Sequence, residues 1–157
     1  MMVDAEGRGV IRPAAEADLP AIERALVAAD LPVEGVAAAL GQFVVADGGA
    51  GLCGAAGMEW HGDDALLRSV VVDTGARGTG VGRALVAALV DRAVARGVDG
   101  VFLLTTGAEG YFARFGFTPI PRADVPPAIR QSAEFASICP GDATVMRRAI
   151  AREEGAP

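Results

Sequence analysis

The sequence predicts a mixed α/β domain, and three observations carry that reading. Apolar runs punctuated by glycine turns fill residues 42–72. Helical apolar spacing replaces them at residues 81–96. A short apolar run at residues 101–104 then follows the helix, as a parallel strand follows its crossover. The 157 residues make one domain, 1–157 with a core at about 10–150, large enough to bury its interior without disulfides or metals. Apolar residues make up 52%, which argues against disorder over most of the length.

Charge and cysteine usage exclude several function classes. The net charge is −6, and all 14 of the Lys and Arg residues are arginine. A nucleic-acid surface needs clustered positive charge, so nucleic acid is excluded as a main partner. Lysine chemistry is excluded outright. Cys53 and Cys139 stand far apart with no Cys-x-x-Cys pair, as reduced thiols do. Residues 1–6 lack the basic and apolar regions of a secretion signal. The helical run from Val81 is broken by Arg83, Asp91, Arg92 and Arg96, too charged to cross a bilayer. The expectation is a soluble cytoplasmic protein with no membrane partner and no metal.

Each element follows from local chemistry. Residues 10–12 read as a first strand. Asp18 can cap a helix to about Ala29, with Pro20 tolerated in its first turn and Ile22, Ala25, Leu26 and Ala29 as its apolar stripe. Pro32 breaks that helix, and a short second helix is expected at 33–40. Strands follow at 42–47 and 52–60, the latter weakened by Gly54 and Gly57, with turns at 48–51 and 61–64. Residues 66–72 are near-continuously apolar apart from Arg68 and Ser69, as in a strand buried on both faces. A helix at 81–96 stops at Gly97, and residues 101–104 return parallel to 66–72 in a right-handed crossover. Short helices at 108–115 and 126–131, a segment from Phe117 to Pro119, and a final strand at 143–149 complete the chain. Residues from Arg152 on read as a frayed tail.

The loop Arg77-Gly78-Thr79-Gly80-Val81-Gly82 precedes the long helix. Alternating glycines let the backbone turn sharply and let a bulky anion approach. Free N–H groups at the helix start point at such an anion, and the helix dipole adds about 0.3–1 kcal/mol per favourable contact. Arg77 and Arg83 supplement them. A dinucleotide fingerprint is excluded because the third glycine is displaced, and a P-loop because there is no lysine.

Residues 72–82 resemble the acyl-CoA signature of the GNAT superfamily, Arg/Gln-x-x-Gly-x-Gly/Ala after a strand. The element order is similar to that fold as well. The resemblance implies a central twisted mixed sheet with helices on both faces, and acetyl-CoA as co-substrate. It places pantetheine against Val70, Val71 and Val72 where the parallel strands splay, and the diphosphate on residues 77–82. Residues 108–117, ending Arg114-Phe115-Gly116-Phe117, resemble the second conserved segment, which flanks the thioester. Many members place a tyrosine four residues before that glycine as acid for the leaving thiolate. Here Phe112 stands there and contributes to cofactor binding instead, with Tyr111 one position away as the candidate acid. Homodimers are common in the family, and one is expected here.

A narrower likeness rests on Leu67-Arg68-Ser69, Leu104-Thr105-Thr106, Glu134-Phe135 and Cys139-Pro140. These resemble the second kind of GNAT protein associated with arsenic-resistance operons. The first two elements are also similar to acetylglutamate synthase acetyltransferase domains. Both comparisons suggest a small amino acid as acceptor, glutamate-like or arsenic-containing.

Individual residues retain alternatives. Arg68, mid-strand among apolar neighbours, needs an anion. It either clamps a substrate carboxylate with Ser69 and Thr105 nearby, or pairs internally with Glu59 or Glu109. Glu59 is either a base for the substrate ammonium or a hairpin-end surface acid. Glu109 opens a short helix, where an acid also stabilises the helix start. His61 falls in a turn and reads as solvated. Cys139 either contacts arsenic or is a half-buried thiol. Two rival functions stand beside the transferase: an acyl-CoA sensor without turnover, motivated by Phe112, and an arsenic-binding regulator working through Cys53 and Cys139.

Overall fold

A computed structural model describes residues 9–137 and 143–150. Seven strands form one sheet in the order β1-β2-β3-β4-β5-β7-β6. β1 (Val10–Pro13), β2 (Phe43–Asp47), β3 (Leu52–His61) and β4 (Asp64–Val72) make an antiparallel meander. β5 (Gly100–Thr105) pairs parallel to β4. β7 (Thr144–Ala149) pairs antiparallel to β5 on one side and to β6 (Thr118–Pro119) on the other. The mixed sheet expected from the sequence is the one observed.

Helices cover both faces. α2 (Val81–Arg96) and α3 (Glu109–Ala113) lie over one face. There Leu85, Leu89 and Ala93 pack on Ala56, Met58, Ala65 and Leu67. α1 (Leu19–Ala28) covers part of the other face, with Ile22 and Leu26 against Phe43, Val45 and Val71. α4 (Pro127–Arg130) and α5 (Ala133–Ser137) complete that layer, where Ile129 packs with Leu66, Phe102, Leu104 and Val145. Period-2 alternation thus splits β4 between the two layers, Leu66 to one side and Leu67 to the other. That is why its sequence is apolar almost throughout.

Three local expectations change. Residues 34–39 form successive turns and not a helix, followed by a 3-10 turn at Leu40–Gln42. Gly35 takes φ +83°, outside helical space, and the amide bonds of this segment mix three- and four-residue closures. Asp18 precedes α1 but makes no side-chain cap. Its carboxylate instead accepts from Arg12 at 2.8 and 3.0 Å, and Arg12 also reaches Asp47 at 3.1 Å. The Arg12 bond holds the Asp18 carboxyl below its ordinary range, the Gly49 amide and then Arg12 do the same for Asp47, and the Arg12 bonds tie β1 to β2 and the start of α1. Finally, α5 had no counterpart in the sequence analysis. Ser132 caps it by accepting from the Phe135 amide at 3.1 Å, and Arg122 lies over the Phe135 ring at 5.2 Å. The tail from Arg152 lies outside the described residues.

Glycine in β3 is a packing requirement. A Cβ on Gly57 would enter the Phe43 ring, and Phe43 is fully buried. Gly57→Ala is expected to lower stability by roughly 1–3 kcal/mol, the usual range for overpacking. Urea unfolding at fixed pH checks this; an unchanged midpoint would contradict the close approach.

Candidate active site

The site lies where β4 and β5 part. They pair only at Asp64↔Gly100, Ala65↔Val101 and Leu66↔Phe102. Leu67–Val72 and Leu103–Thr105 then continue without pairing to each other, and a cleft of about 1290 Å³ opens between them. Its lining residues come from both faces of the sheet, so the cleft passes through it.

A bulge aims the side chains. Ala55 pairs with Val71 and Gly57 with Arg68, so Ser69 and Val70 together oppose Ala56. Ser69 absorbs the extra residue at φ +60°, which costs about 1–2 kcal/mol for a residue bearing a side chain. The bulge shifts the alternation. Before it Leu67 faces the α2 layer; after it Val70 and Val72 do. Val71 therefore turns its side chain to α1 and does not line the cleft, because alternation gives it the opposite face.

At one end the cleft is an anion cradle. Arg77, Gly78, Gly80, Val81, Gly82 and Arg83 line it, and Arg114 joins them. Gly78 at φ +83° and Gly80 at φ +90° hold the left-handed turns that lead into α2. The first amides of α2 have no acceptor within the helix and carry its positive dipole end. Thr79 does not line the cleft, because its hydroxyl donates back to the Ala76 carbonyl and closes the turn. Tyr111 joins this end: a Cβ on Gly82 would meet its hydroxyl. Its ring packs edge-on against Phe112 and Phe115 at 5.1 Å each. Burial raises the phenol above its usual range against the opposing pull of Arg114 and Arg83, so at neutral pH the hydroxyl remains a donor. Phe112 is buried and lines the cleft with no polar group to offer.

At the other end lies a buried charge cluster. The Arg68 side chain is fully covered. Its Nε donates to Ser69 Oγ at 2.9 Å, Nη1 to Glu59 Oε2 at 2.8 Å, and Nη2 to the Pro32 carbonyl at 3.4 Å. The Ser69 bond braces the strained bulge. Glu59 is thus Arg68's internal partner. It also meets His61 Nε2 at 2.8 Å, so His61 is a bonded member of the cluster and not a solvated turn residue. Glu59 and His61 do not themselves line the cleft.

Glu134 does. Sequence reasoning noticed it only within the Glu134-Phe135 element, and no spacing rule reports that α5 folds back over β4. It is 4% exposed. Its Oε1 has no hydrogen-bond partner among the described residues and lies 3.7 Å from Arg68 Nη2. Burial pushes its carboxyl up to about 7, with Arg68 opposing the shift. Asp30 and Glu34, from the segment after α1, also line the cleft, as do Thr105 and Thr106. Thr105 Oγ1 accepts from the Ala108 amide at 3.3 Å.

The structure does not bring Glu109 into the cleft. Its carboxylate accepts from Thr144 at 2.7 Å, which holds its carboxyl below the usual range and makes it a poor proton acceptor. Cys53 donates to the Ala46 carbonyl at 3.4 Å, away from the cleft lining. Cys139 lies outside the described residues. Among the described residues no group of His, Cys, Asp or Glu is arranged to hold a metal ion.

A parted pair of parallel strands, a bulge and a glycine cradle at a helix start define an acyl-CoA-type cleft. Comparison with known families agrees: the acetyltransferase (GNAT) domain model matches residues 39–119, more than half of the chain. The chain belongs to that family. Similar solved structures include N-acetylglutamate synthase from Neisseria gonorrhoeae complexed with coenzyme A and N-acetyl-glutamate, at TM-score 0.80 and 22% identity. The match covers 91% of this chain and 35% of that one, so the chain spans about a third of the synthase's length. Rv2747 from Mycobacterium tuberculosis, solved in complex with CoA, matches at TM-score 0.77 and 26% identity over 90% of this chain and 99% of its own. A GNAT-family acetyltransferase from Staphylococcus aureus matches at TM-score 0.76 and 16% identity, over 90% and 99% respectively. No curated protein matches the chain significantly.

Gly82 and Tyr111 form a test pair. Gly82→Ala is expected to drive the Tyr111 hydroxyl off the helix start and weaken CoA binding about tenfold, roughly 1.4 kcal/mol. Tyr111→Phe in that background, by removing the colliding oxygen, restores most of the affinity. Calorimetric titration with CoA measures both; equal weakening in the single and double variants would contradict the contact.

Proposed function

We propose that this protein transfers the acetyl group of acetyl-CoA to the amine of a small, glutamate-like amino acid, and that it does so in the cytoplasm as a homodimer. One observation carries the substrate reading. Leu67, Arg68 and Ser69 and, across the gap, Leu104, Thr105 and Thr106 all line one cleft. These are the two elements that resemble acetylglutamate synthase acetyltransferase domains. The Neisseria gonorrhoeae synthase, in its complex with N-acetyl-glutamate, supports the same substrate class.

The steps follow from the charges. The cradle at Arg77, Gly78, Gly80, Gly82 and Arg83 takes the diphosphate, and the pantetheine runs along Val70 and Val72 to the gap. Arg68 places a positive charge beneath the acceptor end, which attracts a carboxylate. Three of its five N–H groups are engaged with Ser69, Glu59 and Pro32, which leaves two. Holding amine and thioester together supplies much of the acceleration. With Phe112 lacking a hydroxyl, the leaving thiolate takes its proton from water or from the attacking nitrogen.

Phe112 also keeps a second reading in view, an acyl-CoA sensor without turnover. A thiol-release assay separates the two. The acceptor panel holds L-glutamate, L-glutamine and phosphorus- and arsenic-containing glutamate analogues; preference for the arsenical would favour the arsenic-resistance role. Release with at least one acceptor is expected. Tight CoA binding with no release across the panel would favour the sensor.

Arg68→Lys keeps the charge and loses the fork geometry. It is expected to raise the acceptor KM at least tenfold while leaving the CoA Kd within about twofold. An unchanged acceptor KM in a folded variant would remove Arg68 from substrate recognition.

A further inference from the structure

We propose that Glu134, carried by α5, is the group that takes the proton from the acceptor ammonium. This rests on the transferase reading and adds its proton acceptor. The geometry carries it. Glu134 is 4% exposed, lines the acceptor end of the cleft, and keeps Oε1 without a hydrogen-bond partner among the described residues. A buried carboxylate oxygen left unmatched costs about 1–3 kcal/mol or more. A substrate N–H donor satisfies it.

The neighbouring groups explain why Glu134 is the base and Glu59 is not. Glu59, on β3, spends one oxygen on Arg68 and the other on His61. Glu134 faces Arg68 from β4, and the charges of Glu59 on β3 and Glu34 from the segment after α1 also act on it. Arg68 Nη2 stands 3.7 Å away, too far for a hydrogen bond, yet it is the cation paired with Glu134 among the described residues. An α-amino acid has one carbon between carboxylate and amine. A carboxylate drawn to Arg68 Nη2 therefore sets its ammonium beside Glu134 Oε1. With Glu134 beside Arg68, and Asp30 and Glu34 also lining the cleft, the site favours an acceptor bearing an ammonium.

The step balances. The ammonium gives one proton to the Glu134 carboxylate and becomes a neutral amine. Its nitrogen lone pair forms the C–N bond to the thioester carbonyl carbon, and the C–S pair leaves on sulfur. The second proton from the attacking nitrogen passes to the thiolate, giving CoA thiol and the acetamide. Glu134 then releases its proton to solvent. The carboxyl is matched to this work, because burial pushes it up to about 7, near ambient pH.

The test uses Glu134→Gln and Glu134→Asp in the full chain, with the best acceptor of the panel. Thiol release is followed from pH 5.5 to 9, together with CoA affinity and melting temperature at pH 5 and pH 8. Wild-type kcat is expected to rise with pH through a midpoint near 7. Glu134→Gln is expected to lose that limb and about a hundredfold or more in kcat, with CoA affinity within about twofold. Glu134→Asp retains a reduced limb. Because the raised carboxyl costs stability as pH rises from its ordinary 4.5 toward 7, Glu134→Gln should melt higher than wild type at pH 8.

A Gln variant with more than half of wild-type kcat and the same limb would overturn the proposal. So would a Gln variant with higher kcat/KM, which would make Glu134 a plug over Arg68. If wild type acetylates nothing in the panel, the transferase reading fails by itself. Glu134 is then judged by a carbon-13 titration of its carboxyl in the CoA-bound protein: a midpoint near 7 supports the assignment, and one below 5 overturns it.

Discussion

β4 and β5 hydrogen-bond at three positions and then separate. The rest of the molecule is arranged around that parting. Two buried strands that stop pairing expose amides and carbonyls in the interior, a cost of about 1–3 kcal/mol for each group left unmatched. The fold tolerates this because β4 keeps β3 on its other side and β5 keeps β7. The gap is thereby held open by a sheet that is continuous on both flanks. The bulge at Ser69 belongs to the same constraint. It gives Val70 and Val72 to the α2 face while Arg68 serves the opposite face.

Charge divides along the same line. The chain is acidic overall, yet one end of the cleft gathers Arg77, Arg83 and Arg114 with the positive end of α2. Asp30, Glu34 and Glu134 line the cleft as well, with Glu134 beside the buried Arg68 guanidinium. In the proposed reaction these charges would draw an anionic diphosphate to the arginines and a cationic amine to the carboxylates before any specific bond forms. Ser69 and Glu59, the latter bonded to His61, hold the Arg68 side chain in place. These bonds also brace the bulge and spend both Glu59 oxygens, whereas Glu134 Oε1 stays without a hydrogen-bond partner among the described residues.

Much of this was legible in the sequence, for physical reasons. The sheet order from β1 to β5 follows from alternation and glycine turns, and α2 from periodicity between Gly80 and Gly97. The cradle was readable because an anion site at a helix start needs glycines at fixed spacing. The pairing of Glu59 with Arg68 was an open alternative that register decided. What the sequence withheld depends on a bulge and on long-range return of the chain. Nothing in Leu67-Arg68-Ser69 announces a left-handed serine, so Val71 was grouped with Val70 and Val72 although the alternation turns it away. Thr79 was grouped with its glycine neighbours although its hydroxyl closes the turn. Glu109 looked like a site acid because it opens a helix near the cleft, but Thr144 on β7 takes its carboxylate. Glu134 stayed in the background because α5 is short, and its burial comes from packing over β4.

The central claim is that donor and acceptor meet through the sheet from opposite faces. The most direct measurement is a crystal structure of the complex with coenzyme A and the acetylated product. The account predicts the diphosphate on the amides at the start of α2, and the sulfur in the gap beside Val70. It predicts the product nitrogen on the Arg68 and Glu134 side, within about 3–3.5 Å of the sulfur's acetyl position. A product bound on the α2 face, or a coenzyme whose sulfur lies outside the gap between β4 and β5, would contradict it.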